Sequence, residues 1–264
     1  MSLRGAFDDA AMNRRAALVA YLTFGDPDPA TSIDVVHAAA RAGADVIELG
    51  VPFSDPSADG PSIQRAMERA LAAGGSLAGA LDAVAELRLG RGVTTPIVLF
   101  GYYNPIFVMG SDAFAARAAA AGVDAVLTVD LPIDELDELA QPLAAKQVDV
   151  IPLVAPTSTP ERIARLAALQ APFVYYISLT GVTGSRSAPA VDPERIAAIR
   201  AASGSPVAVG FGIKTPDDAR RFAAICDGVV VGSALVDRVA DGPPAEAPAR
   251  VASLVSELAA AMHR

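Results

Sequence analysis

The chain alternates short β-branched runs with longer segments whose apolar residues recur at helical spacing. Leu18-Val19-Ala20-Tyr21-Leu22-Thr23 reads as a first strand, and Gly25-Asp26-Pro27-Asp28-Pro29 as a turn. A helix from about Ala30 to Ala42 carries Ile33, Val36, His37 and Ala40 near one face and ends at Gly43. Val46-Ile47-Glu48-Leu49 is a second strand, in which Glu48 points to the opposite face from Ile47 and Leu49. Gly50, Pro52, Pro56 and Gly60 then interrupt regular structure across a loop that carries Asp55 and Asp59. Pro61 begins a helix with Ile63, Ala66, Met67, Ala70 and Leu71 in one stripe, and Gly74-Gly75 ends it.

The same alternation continues. A helix from Leu77 to Arg88 leads to a third strand, Ile97 to Phe100, and a turn at Gly101-Tyr102-Tyr103-Asn104-Pro105. Asp112 can cap a helix running to Ala121, and Gly122 ends it before a fourth strand, Ala125 to Thr128. Asp134 to Lys146 is helical, Val150 to Val154 a fifth strand, and Thr159-Pro160 starts a helix to about Leu169. Phe173 to Ser178, Pro206 to Gly210 and Gly228 to Val231 are strands six, seven and eight. Helices begin at Asp192-Pro193 and Pro216, and a last one covers about Ala247 to Met262. Asp8 to Arg15 is a leading helix packed under the body. About eight strand–helix units with short connections argue for α/β structure: a single (β/α)8 barrel with an extra N-terminal helix, residues 1–264 forming one domain. An open doubly wound sheet is the competing fold, but the early strands lack a G-x-G-x-x-G turn and no composition shift marks a second domain.

Composition narrows the function classes. Hydrophobic residues make up 52% of the 264, enough for a large core. The net charge of -9 argues against nucleic acid or an anionic membrane as partner. The single cysteine, Cys226, cannot form an internal disulfide and sits among apolar neighbours. His37 and His263 are placed neither as a nucleophile's base nor as part of a zinc cluster, so no metal is expected. No apolar run reaches membrane-spanning length and the N-terminal residues lack a secretory pattern, so the expected location is cytoplasmic.

In a barrel the reactive groups lie at the C-terminal ends of the strands. Those ends supply Glu48, then Tyr102 and Asn104, then Tyr175 with the Thr180–Pro189 loop, Gly210-Phe211-Gly212-Ile213, and Val231-Gly232-Ser233-Ala234. A strand-end carboxylate followed by a loop carboxylate suits acid–base chemistry if both reach one pocket. Spacing alone leaves this open, since such residues also serve as Asx turns and caps. Small-residue turns after the last two strands expose backbone N–H groups and suit a phosphate. The strand-six loop has the length and position of a lid, or is an idle surface loop.

The stretch V-I-E-L-G-V-P-F-S-D-P-S-A-D-G-P-S-I-Q, together with Y-Y-N-P-I, A-P-T-S-T, T-G-V-T-G, G-F-G-I and V-V-G-S-A in that order, resembles the tryptophan synthase alpha chain family from about Leu18 to Ala234. The resemblance implies a lyase of tryptophan biosynthesis that cleaves indole-3-glycerol phosphate to indole and glyceraldehyde 3-phosphate. It implies Glu48 as proton shuttle and Asp59 as partner of the indole N–H. It places Tyr102, Tyr175 and Phe211 in the pocket, Gly184, Gly212, Gly232 and Ser233 around the phosphate, and Thr183 over Asp59. Ser57, Gly101, Ile133 and Lys214 depart from the family pattern, and Lys214 adds a positive charge near the phosphate turn.

By the same resemblance the partner is a beta chain carrying pyridoxal phosphate, two alpha and two beta chains assembling together, with contacts at Pro52, Asp55 and Asn104. This chain itself is expected to need no cofactor. The chemistry fits the residue types. Indole leaves only after its C3 is protonated, so the cleavage needs one acid, one base and a negative charge near the ring nitrogen. Other phosphate-binding barrel enzymes would require a metal cluster or a Lys/His/Glu set absent from these strand ends, and a purely regulatory barrel has no use for both carboxylates.

Overall fold

The computed structural model describes residues 1–177, 191–210 and 212–263. Nine parallel strands form one sheet: β1 (Ala17–Thr23), β2 (Val46–Gly50), β3 (Ile97–Gly101), β4 (Ala125–Thr128), β5 (Asp149–Val150), β6 (Leu153–Val154), β7 (Val174–Ile177), β8 (Val207–Gly210) and β9 (Gly228–Val231). Their spatial order is β5-β4-β3-β2-β1-β9-β8-β7-β6. The fifth strand expected over Val150 to Val154 is thus two segments around Ile151-Pro152. Pro152 has no N–H, but its carbonyl accepts Tyr175 N at 3.0 Å, while Ile151 N donates to Val126 O at 2.9 Å. One stretch of chain therefore bonds to both ends of the sheet and closes it as a (β/α)8 barrel.

Strand alternation divides the core in two. Val19, Tyr21, Val46, Val98, Phe100, Leu127, Ala208 and Val230 fill the barrel interior. Their neighbours Leu18, Leu22, Ile47, Leu49, Leu99 and Val229 face the surrounding helices. The N-terminal helix plugs the bottom. It spans Leu3–Met12 rather than Asp8 to Arg15, because Ser2 caps it by accepting Gly5 N and its buried stripe is Leu3, Ala6, Phe7 and Ala10. Phe7 stacks on Phe173 at 4.8 Å between ring centres. A Cβ at Gly228 would lie 2.7 Å from the Phe7 ring, so that strand has room only for glycine.

The bottom rim repeats one device three times. Asp45, Asp124 and Asp227 each precede a strand. Each carboxylate accepts an N–H from the first or second residue of the preceding strand, from Leu18, Ile97 and Val207 at 2.8, 2.7 and 2.9 Å. Each aspartate N–H returns a bond to the carbonyl of that same residue. Arg15, Arg88 and Arg200 pair with the three carboxylates. These groups lie far from the strand ends that bear the candidate site, and they organise the fold.

Three local expectations are corrected. Tyr103–Met109 is a helix, not a turn, since Pro105 falls within its first turn, where its missing N–H costs nothing. Gly110, not Asp112, precedes the helix Ser111–Ala121, and Asp112 sits in its first turn. The V-G-S-A turn opens an unforeseen helix, Ser233–Ala240. No single described helix is long and apolar enough to cross a membrane.

Candidate active site

Glu48 stands in the middle of β2, in register with Tyr21 of β1 and Val98 of β3. The alternation that turns Ile47 and Leu49 outward turns its carboxyl into the barrel, where it is 0% exposed. Among the described residues, neither carboxyl oxygen has a hydrogen-bond partner. Burial without compensation disfavours the charged form and pushes the pKa up to about 8. Glu48 is therefore a protonated acid at neutral pH, close enough to ionisation to give up its proton.

Asp59 reaches the same region from the loop after β2. Tyr102, just past β3, donates its phenolic hydrogen to Asp59 Oδ2 at 2.8 Å and accepts Ala58 N at 2.9 Å. Phe53 stacks on the Tyr102 ring at 4.8 Å. Gln64 Nε2 donates to the backbone carbonyls of Asp59 and Pro56 at 2.9 and 3.3 Å. Burial raises the Asp59 pKa, and the Tyr102 hydrogen bond opposes that rise by favouring the carboxylate. The two acids thus sit in different environments, one fully buried with no partner among the described residues, the other held by a donor.

A cavity of about 330 Å³ opens at the C-terminal ends of the strands. Its polar margin includes Asp59, Tyr175, Gly212, Lys214, Gly232 and Ser233, and its walls include Ile63, Phe100, Val129 and Ile177. The apolar walls suit an aromatic ring. The glycine turns and the first residue of the Ser233–Ala240 helix suit an anion. Glu48 is not on the cavity wall; it lies beside Tyr21 and Tyr175, which are. Burial first, then the Glu48 and Asp59 charges, raise the Tyr175 phenol well above its ordinary value. Burial, Asp59 and Glu48 do the same to Tyr21.

Asp59, Tyr175, Gly212, Gly232 and Ser233 line this one cavity. Tyr102 stands behind Asp59, its hydroxyl committed to that carboxylate, so its place is one of support. Thr183, Gly184 and Phe211 lie outside the described residues. Tyr21 was not singled out from the sequence, although alternation along β1 places it on the interior face with Val19. Among the partner contacts that the resemblance implies, Asp55 and Asn104 are exposed, whereas Pro52 is buried beside Gly75 within this chain. A second cavity, of about 350 Å³, lies near Leu131, Ile133, Leu153 and Ile163. Among the described residues that line it there is no carboxylate, so it is the poorer place for acid–base chemistry. Among the described residues, no group of three or more His, Cys, Asp or Glu is placed to hold a metal ion.

Known families and structures agree with this fold. The tryptophan synthase alpha chain profile matches residues 7–263. This chain belongs to the tryptophan synthase alpha chain family. It is 48% identical to the alpha chain of Burkholderia pseudomallei (strain 1106a), across 98% of this chain and 96% of that one. It is 46% identical to that of Cupriavidus metallidurans, across 98% of both. The structure of Mycobacterium tuberculosis tryptophan synthase superposes with a TM-score of 0.89 at 40% identity, covering 99% of this chain and 98% of that one. The Legionella pneumophila alpha chain superposes with a TM-score of 0.87 at 36% identity, covering 99% and 97%. Alpha chains are lyases of tryptophan biosynthesis that cleave indole-3-glycerol phosphate to indole and glyceraldehyde 3-phosphate, and the family works with a beta chain.

Proposed function

We propose that Glu48 and Asp59 carry the alpha-chain lyase reaction in this protein, within one catalytic domain spanning residues 1–264. The observation that carries the reading is Glu48 itself: a fully buried carboxyl with no partner among the described residues and a pKa of about 8, beside a cavity that holds a second carboxyl. A structural glutamate would be satisfied by hydrogen bonds. The one-domain reading is supported by β9 pairing with β1 and by the last helix, Ala247–Ala261, packing on Pro29–Arg41.

The indole ring occupies the apolar walls, with its N–H toward Asp59 and the phosphate among Gly212, Gly232 and Ser233. Protonated Glu48 delivers its hydrogen to indole C3, and the positive charge that appears on the ring nitrogen is stabilised by the Asp59 carboxylate. The Glu48 carboxylate so formed takes the hydrogen of the glycerol 3′-hydroxyl. A lone pair of that oxygen closes the aldehyde carbonyl as the C3–C3′ bond breaks. The bonding pair returns to the ring and restores neutral indole. The proton cycle closes on Glu48, and no step passes through a cofactor of this chain. Tyr175, beside Glu48, borders the reacting carbons, while Phe211, Gly184 and Thr183 complete the pocket by family resemblance.

The beta partner, carrying pyridoxal phosphate, takes up the indole in an assembly of two alpha and two beta chains in the cytoplasm. Asp55 and Asn104 lie on the proposed contact face, with Pro52 beneath it. The face is supported by Phe107 and Val108, which are 66% and 78% exposed on the same short helix as Asn104. Docking there acts on chemistry through Phe53, whose ring lies on Tyr102, the group that holds Asp59. The test is indole release from indole-3-glycerol phosphate by the purified chain, with and without a beta chain. Acceleration by the beta chain supports the coupling. An unchanged rate discards the coupling and keeps the lyase, and no release by the folded chain under either condition sinks both.

A further inference from the structure

We propose that Lys214 binds the phosphate of the substrate, supplying a cation to a pocket end otherwise made of glycine, serine and backbone. The proposal rests on the phosphate-ester reading above. Among the described residues that line the cavity, Asp59 is the carboxylate and Lys214 the cation. Lys214 belongs to the segment after β8 and shares the cavity margin with Gly212, Gly232 and Ser233. The charges therefore divide the pocket, with the anion beside the ring nitrogen's place and the cation beside the phosphate's.

The backbone that carries Lys214 is held on both sides. Gly212 has a φ of 63°, a conformation that favours glycine. Ile213 is buried. Lys214 N and Thr215 N both donate to Asp218 Oδ2, at 3.3 and 3.1 Å, and Asp218 N returns a bond to Thr215 Oγ1 at 3.1 Å. This reciprocal cap opens the helix Pro216–Ala223 and fixes the base of the lysine stem. The ammonium itself has no ion-pair partner among the described residues. Lys214 also borders an open recess lined by Asp237, Arg238 and Asp241. Lys214 thus lines both that recess and the active cavity, and a phosphate dianion offers its ammonium a partner of higher charge than a single carboxylate.

The charge is useful here because the chain is strongly acidic, at -9 overall, and its field opposes an incoming dianion. Backbone N–H groups bind phosphate by direction and partial charge. A lysine adds a full charge and a salt-dependent attraction.

The experiment compares the wild-type chain with Lys214→Met, which keeps an unbranched stem, and Lys214→Arg, which keeps the charge. Inorganic phosphate and indole are the two probes, each measured by calorimetry and as an inhibitor of indole release. The Met variant is expected to weaken phosphate binding about tenfold and to raise the KM for indole-3-glycerol phosphate by a similar factor, the scale of one charge-assisted hydrogen bond. Indole affinity is expected to stay within about twofold of wild type, since an apolar probe makes no use of the charge. The Arg variant is expected to recover most of the loss. Unchanged phosphate binding in Lys214→Met, or equal weakening of phosphate and indole, overturns the proposal. Absence of indole release by the wild-type chain instead overturns the lyase reading, while calorimetry with phosphate still reports on Lys214.

Discussion

Tyr102 donates to the Asp59 carboxylate at 2.8 Å and spends its own lone pair on the amide of Ala58, one residue before Asp59. One phenol at the end of β3 thereby fixes both the position and the charge of a carboxylate from the loop after β2. Removing the hydroxyl in Tyr102→Phe leaves burial to act on Asp59 unopposed. Its pKa rises, and the ionised fraction at a given pH falls. The acidic limb of the kcat/KM profile should move to higher pH, with a loss of about 10- to 100-fold at neutral pH, on the scale of one charge-assisted hydrogen bond plus a loosened loop. A pH–rate profile checks it, and an unmoved acidic limb would separate Tyr102 from the charge state of Asp59.

Glu48 makes stability depend on pH in a definite direction. Below about 4.5, its ordinary value, the carboxyl is protonated in folded and unfolded chains alike. Between there and about 8 the folded chain keeps a proton that the unfolded chain has released, so stability falls as pH rises. Above about 8 the full penalty of a buried charge applies, on the order of a few kcal/mol. Glu48→Gln escapes this term. Its urea midpoint relative to wild type should increase from pH 5 to pH 9; a constant difference would mean that the carboxyl is not held neutral by burial.

The two interior phenols leave no room for side chains opposite them. A Cβ at Gly210 would lie 2.0 Å from Tyr175 Oη, and one at Gly50 would lie 2.3 Å from Tyr21 Oη. Gly210→Ala must displace Tyr175, costing about 1–3 kcal/mol as overpacking does. Combined with Tyr175→Phe, part of the clash is removed, so the two losses should be less than additive. Denaturation midpoints of the single and double variants give the coupling.

The bottom rim offers the opposite kind of substitution. Asp124→Ala strips Ile97 N of its acceptor and Arg88 of its carboxylate. A loss of about 2–4 kcal/mol is expected. Because the rim lies at the far end of the barrel from Glu48, kcat at 25 °C should be unchanged in the folded fraction. A large drop in kcat would join the two ends of the barrel in a way the packing does not explain.

Particular residues mark how far the sequence could be read. Alternation alone turned Glu48 away from Ile47 and Leu49, and barrel topology placed it among the strand ends. Alternation could not say that the carboxyl has no partner among the described residues, because that depends on Tyr21 and Val98 across two neighbouring strands. The Tyr102–Asp59 bond spans 43 positions and follows no local pattern. The N-terminal helix was displaced because its start is fixed by Ser2 and by Phe7 packing under Phe173, both outside the segment whose composition looked helical. The helix after Gly232 was missed because Gly-Ser-Ala reads as a turn until Leu235, Val236 and Val239 are seen to face the core.

The most direct test is single-turnover release of indole from bound indole-3-glycerol phosphate by wild type and Glu48→Gln. Exchange of one oxygen for an amide nitrogen keeps the shape of the side chain and removes its capacity to pass a proton. The rate should fall about a thousandfold, within the range for loss of a positioned acid–base group, with substrate affinity changed by no more than a few-fold. A variant that retains a rate within about tenfold of wild type would contradict Glu48 as the group that moves the proton.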